Sequence, residues 1–130
     1  MRFGDNTAGG IRTSEFVVVG EDATRGEVLD YIRFHEVPTD QLDNVVLINR
    51  EARLAGTVPL ARLVLSSADT RMAELAFEPM LSVPTGARDK DVYELFDKYN
   101  LRSLTVVDGE NVPIGSITVD NIVSRMRAKI

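Results

Sequence analysis

Apolar residues along this chain recur in short runs of two kinds, and the runs come in the same order twice. Val17 to Val19 is a β-branched stretch, which predicts a strand. Thr24 and Glu27 then stand at capping-box spacing, and Val28, Leu29, Ile32 and His35 follow every three or four residues, the period of a helix with one apolar face. Val45 to Ile48 predicts a second strand and Asn49 to Arg53 a polar turn; a third strand closes on Gly56 before a short helix. Further along, Ser82 and Val83 read as strand, Val92, Leu95, Phe96 and Tyr99 as helix, and Leu104 to Val107 as strand. Asp108 to Asn111 make a turn, another strand closes on Gly115, and Thr118 is placed to cap a final helix carrying Ile122, Val123 and Met126.

The two series align residue by residue. Val19 to Ile32 matches Val83 to Phe96 at an offset of 64, and Leu47 to Leu63 matches Val106 to Ile122 at an offset of 59. The first copy therefore holds five extra residues between Phe34 and Asn44. Self-similarity of this kind marks a duplicated unit, here β-α-β-β-α read twice. The predicted class is α/β (α+β), with the two repeats packed in pseudo-twofold symmetry, because about 50 residues bury too little apolar surface to stand securely alone. Residues 16–66 form the first repeat and residues 81–130 the second. Residues 67–80 read as a linker in which Met72, Leu75 and Ala76 predict one short helix, and residues 1–15, with Gly4, Gly9 and Gly10, read as an extended arm.

Composition narrows the chemistry. The 130 residues are 44% hydrophobic and 27% charged, an ordinary globular balance. Zero cysteines and one histidine remove disulfides, thiolate nucleophiles and Cys/His zinc sites. A net charge of −5 supplies no basic field for a phosphate backbone, so no nucleic-acid partner is expected; basic groups gather only in the tail, at Arg125, Arg127 and Lys129. No apolar run approaches the ~20 residues of a membrane span, which predicts a cytoplasmic chain with no membrane insertion of its own. Catalysis by a nucleophile requires a paired base, and none is evident around His35. That residue matches Tyr99 and reads as a core-edge position, while Met72, Met80 and Met126 read as core fillers. No enzyme activity is expected.

The duplicated unit, with Val106-Val107-Asp108 before a turn and Gly115 to Thr118 after it, resembles a tandem cystathionine-beta-synthase (CBS) domain pair, or Bateman module, over residues 16–127. Asp5 to Phe16, the longer first copy, and Ala68-Asp69-Thr70 in the linker are further similar to the cytosolic CBS region of MgtE-type magnesium transporters. This resemblance implies a regulatory module, the sensor part of a magnesium or divalent-cation transporter, in which cation binding rearranges the CBS surfaces to gate the pore. It implies a homodimer through CBS faces, an acidic helical domain before the pair and a membrane domain after it. The chain is then either an excised piece of such a transporter or a stand-alone relative; its glycine-rich start, entering mid-motif, favours the piece.

Two ligand classes follow from the resemblance. In CBS pairs the last helix of a repeat begins Thr/Ser-x-x-Asp and meets an adenine nucleotide, with hydroxyl and amides toward phosphate and the carboxylate toward ribose. Free N–H groups and the helix dipole favour an anion at such a place. The second copy keeps Thr118 and has Asn121 in place of the acid, with Ser82, Val83, Arg102 and Ser103 completing the candidate nucleotide site. Pro59 to Arg62 in the first copy removes hydroxyl, amide donor and carboxylate together, leaving one adenosine site at most. As a simple cap, Thr118 would need no ligand. Magnesium takes oxygen ligands, and its candidates are Asp108, Glu110 and Asp120, the last where the family's final helix carries metal-contacting acids. Asp89, Asp91 and Glu94 sit near a helix start, where the dipole alone favours acids. Beside the cation sensor stand an adenine-nucleotide (ATP or AMP) sensor and a ligand-free dimerisation scaffold.

Overall fold

The computed structural model describes residues 7–13, 16–77 and 80–128. In chain order the elements are α1 (Ala8–Ile11), β1 (Val17–Gly20), α2 (Arg25–Phe34), β2 (Asn44–Ile48), β3 (Leu54–Pro59) and α3 (Leu60–Leu65). They continue with β4 (Ser82–Pro84), α4 (Asp89–Tyr99), β5 (Ser103–Val107), β6 (Pro113–Thr118) and α5 (Val119–Ala128), while Thr39–Gln41 and Met72–Leu75 form single 3-10 turns. The chain divides into two compact units, one of residues 16–80 and one that joins residues 81–130 to residues 1–15.

Each unit is built on a three-stranded sheet, β1-β2-β3 or β4-β5-β6, whose first pair is parallel and second antiparallel. A parallel pair requires a crossover, supplied by α2 and α4. Helix α2 starts at Thr24 because its hydroxyl accepts from Glu27 N at 3.2 Å while Glu27 Oε1 accepts from Thr24 N at 3.1 Å, the reciprocal box the spacing predicts. Asp89 and Asp91 fall in the first turn of α4, where the dipole favours them. Both crossover helices stop on a left-handed residue, Glu36 at φ 48° and Asn100 at φ 51°, followed by matching bonds from Val37 N to Ile32 O and Leu101 N to Phe96 O. The five-residue excess of the first copy is thereby located at Pro38 to Leu42, around the 3-10 turn.

The antiparallel turns repeat atom for atom. Asn49 Oδ1 accepts from Glu51 N and Arg53 N, both at 3.0 Å; Asp108 Oδ1 accepts from Glu110 N at 2.9 Å and Val112 N at 3.0 Å. Ala52 and Asn111 share φ 64°, and a bulge follows Leu47 and Val106 alike. Under one sheet lie Val28, Val45, Leu47, Val58 and Leu63, all buried; under the other lie Val92, Leu104, Val106 and Ile117.

Each core is completed by the segment that leads into the other copy. Ala8 N donates to Ala87 O at 2.8 Å and Gly9 N to Thr85 O at 2.9 Å, and Ala8 and Ile11 are buried among second-copy residues. In the first unit Met72 N donates to Ala23 O at 2.8 Å and Ala73 N to Glu21 O at 3.0 Å, with Met72 fully buried. The expected extended arm is therefore corrected: residues 8–11 are a helical turn in a core. Gly4, Asp5 and Asn6 of the opening motif, and Lys129 of the basic tail, lie outside the described residues.

Two further expectations change. His35 is exposed at the end of α2, its Nδ1 2.9 Å from Tyr31 O and its ring 4.1 Å from that of Tyr31, so it is no core-edge residue. Met72 is a core filler, but Met80 and Met126 are about half exposed, at 50% and 49%. Helical spacing places Met126 on the face of Val119 and Val123, and that face is itself uncovered in this chain.

Candidate functional site

The register of the second sheet gathers the nucleotide candidates at one end. Ser103 pairs with Thr118, and Ser82 pairs with Thr105, two residues or about 7 Å further along. The starts of β4 and β5 and the end of β6 thus lie together, with the first turn of α5 above them. Val119 N donates to Arg102 O at 2.9 Å, tying that turn to the residue before β5. Ser82, Ser103, Thr118 and Asn121 are half-buried, Arg102 is exposed, and Val83 turns its side chain into the core, leaving only its main chain to offer.

Thr118 and Asn121 cap α5 reciprocally. Thr118 Oγ1 accepts from Asn121 N at 3.1 Å, and Asn121 Oδ1 accepts from Thr118 N at 2.9 Å. Thr118 is thus a cap, as the bland alternative held. The box occupies one acceptor on each side chain and leaves the hydroxyl proton and the Asn121 Nδ2 hydrogens outside it. Donors at a helix start are suited to phosphate or hydroxyl oxygen.

In the first half the same corner has become a strut. Pro59 precedes α3 with no side-chain cap, and Leu60 N donates to Asp43 O at 3.1 Å, as Val119 does to Arg102. Arg62, at the position of Asn121, donates from Nη1 to Leu75 O at 3.1 Å and Ala76 O at 3.0 Å, and lies 5.7 Å from the centroid of the Phe77 ring. Its charge satisfies carbonyls of the linker.

The cation candidates are not brought together. Asp108 and Glu110 belong to the turn after β5, whereas Asp120 follows Thr118 at the other end of the sheet. Five residues of strand separate those levels, about 17 Å. The Asp108 carboxylate organises its own turn, and Glu110 and Asp120 are exposed. Among the described residues no three acidic or histidine side chains are placed to hold one metal ion.

Sequence inspection passed over an open depression of about 420 Å³ in the first half, lined by Gly20, Glu21, Asp22, Ile48, Asn49, Arg50 and Glu51. Its only signal is the turn beyond parallel strand ends, where α/β folds often place ligands. The Glu27 carboxyl is held below its ordinary 4.5 because the Thr24 backbone N–H and then its hydroxyl donate to it.

A CBS-domain family model matches residues 72–128. The crystal structure of the cytosolic domain of the Mg2+ channel MgtE in complex with ATP matches with a TM-score of 0.89 and 30% identity, over 95% of this chain and 50% of that one. The chain has the fold of a tandem CBS-domain pair. Among curated relatives, this CBS pair is 30% identical to the magnesium transporter MgtE of Thermus thermophilus and 27% identical to that of Enterococcus faecalis, over 98% and 95% of its own length. It spans 28% and 27% of theirs. Among its described residues no helix is long and apolar enough to cross a membrane.

Proposed function

We propose that this CBS pair is the regulatory part of an MgtE-like magnesium transport protein, and that its second half binds an adenine nucleotide at the start of α5. The observation that carries this reading is the register that puts Ser82, Ser103, Thr118 and Asn121 at one end of a single sheet. In this arrangement the Thr118 hydroxyl meets phosphate, Asn121 Nδ2 meets a hydroxyl of the sugar, and exposed Arg102 adds charge. ATP in the complex of the MgtE cytosolic domain supports the ligand class. Binding favours whichever arrangement of CBS surfaces holds the nucleotide better, and attached domains respond to that shift in population.

A second reading, cation-dependent gating, is supported by the MgtE relatives and the net charge of −5. Because Asp108 and Glu110 are remote from Asp120, it works by separate acidic patches meeting acids outside this pair, with Mg2+ relieving the repulsion. Phe34, Val64 and Leu65, 83%, 74% and 87% exposed, support association with a second copy or with neighbouring domains of a transporter. A ligand-free scaffold would use those same faces and no more.

Thermal unfolding separates the readings. ATP or AMP raises the Tm of the wild-type chain and raises that of Thr118→Ala by much less; equal shifts in both defeat the nucleotide site. Magnesium at millimolar levels changing Tm or oligomer size supports the cation reading, and indifference to all three ligands selects the scaffold.

A further inference from the structure

The leading segment of the first copy belongs physically to the second half. Thr13 and Ser116 exchange two backbone hydrogen bonds, Thr13 N to Ser116 O at 2.8 Å and Ser116 N to Thr13 O at 2.9 Å. With the bonds from Ala8 and Gly9, four main-chain hydrogen bonds run from seven residues to a surface made by the 84–88 turn and the outer edge of β6. Helix α1 also packs on β4 and α5. The fit is close: a Cβ on Gly115 would lie 2.6 Å from Thr13 O and 2.7 Å from Arg12 Cδ, so the segment's backbone rests on the glycine itself. The first half shows the same device, with Phe77 N donating to Thr57 O at 2.7 Å and Ala76 Cβ 3.1 Å from a Cβ built on Gly56.

We propose that this face of the second half is a peptide-docking site whose occupant, residues 7–13, is a detachable strap. Sheet-edge pairing supplies its affinity, as in strand addition to an exposed edge. Its specificity comes from a small buried residue at Ala8, a branched one at Ile11, and a bridge to Ser116 beside the Gly115 gap. The ordering entropy of seven residues is of the same size as the net gain from four hydrogen bonds and two small buried side chains. Docking is therefore reversible while the sheet and its core remain folded. Each half is controlled by the stretch that precedes the other: displacing residues 7–13 loosens β6 and the start of α4, and displacing residues 71–77 loosens β3 and the start of α2. The proposal does not depend on which ligand, if any, the chain takes.

Hydrogen exchange of the full chain, read by mass spectrometry, tests this. Ala8→Asp, and separately Thr13→Pro, which removes the donor to Ser116 O without charging the core, should speed exchange at Ser116, Ile117 and the first turn of α4 at least tenfold. The amides of β2 and β3 should be unchanged. Met72→Asp should give the mirror result. A synthetic peptide of residues 7–13, added at millimolar concentration to the Ala8→Asp chain, should restore protection at Ser116, and a peptide of residues 71–77 should not. Should Ala8→Asp unfold both halves, Thr13→Pro and the peptide added to it decide the matter. Uniform acceleration in Thr13→Pro, no change at Ser116, no rescue, or equal rescue by both peptides overturns the proposal.

Discussion

At the corner where the last strand of each half turns into its last helix, the two copies share a backbone and part company in chemistry. Leu60 and Val119 make the same bond to the residue before the middle strand, at 3.1 and 2.9 Å. On that scaffold the second copy keeps a threonine and an amide that cap each other, while the first has a proline and an arginine that fastens the linker. Duplication thus fixes the frame, which many side chains must satisfy jointly, and leaves the helix start free to diverge, because one cap is worth only about 1 kcal/mol. Under the proposed function one copy keeps a place for a ligand, while the other uses the same place to hold the linker.

Substitutions at six positions press on this comparison. The largest effect is expected from the linker. Met72→Ala empties a fully buried site and should cost the first half about 2–4 kcal/mol in urea unfolding, with the second-half amides holding their exchange protection. Next, Thr118→Ala and Asn121→Ala each remove one arm of a single box and should each cost about 1 kcal/mol. The double variant should fall well short of the sum, whereas Pro59→Ala, where no cap exists, should be nearly silent. The helix ends differ more gently. Glu36 occupies left-handed backbone that asparagine tolerates at Asn100, so Glu36→Gly should stabilise by about 0.5–1 kcal/mol and Asn100→Glu should destabilise by a similar amount.

The smallest effect is set by pH. Glu27 has its pKa lowered in the folded chain, so its contribution is complete above 4.5 and is lost as the pH falls below that value through the folded pKa. Urea midpoints at pH 7 and pH 3 should differ less in Glu27→Gln than in the wild-type chain. The second copy has Arg88 and Asp91 in these two positions and no such box.

Much of the frame was legible because local patterns carry it. The Thr24 box, the β-branched runs and the Asn49 and Asp108 turns each declare themselves within a few residues, and the duplication repeats that order at offsets of 64 and 59. The docking of residues 7–13 was not legible, since Ala8-Gly9-Gly10 has poor helix propensity and becomes a helical turn only through bonds to residues some eighty positions away. Met126 shows a related limit: periodicity says which residues share a face and nothing about what covers it. For the candidate site, Thr118 could be placed from its spacing, but grouping Asp108 with Asp120 ignored the six-residue strand between them. A strand of that length puts its two ends about 17 Å apart, which was enough to separate them.

The crossed straps also set an order of assembly. The core and the strap of the first half lie in one continuous stretch, residues 16–77, so that strap follows directly behind the sheet it covers. Ala8 and Ile11, made earlier, have nowhere to go until β6 has been synthesised more than a hundred residues later. This earlier segment is then the last to find its seat, and completion of the second half waits on a contact of long sequence separation, the slow kind in folding.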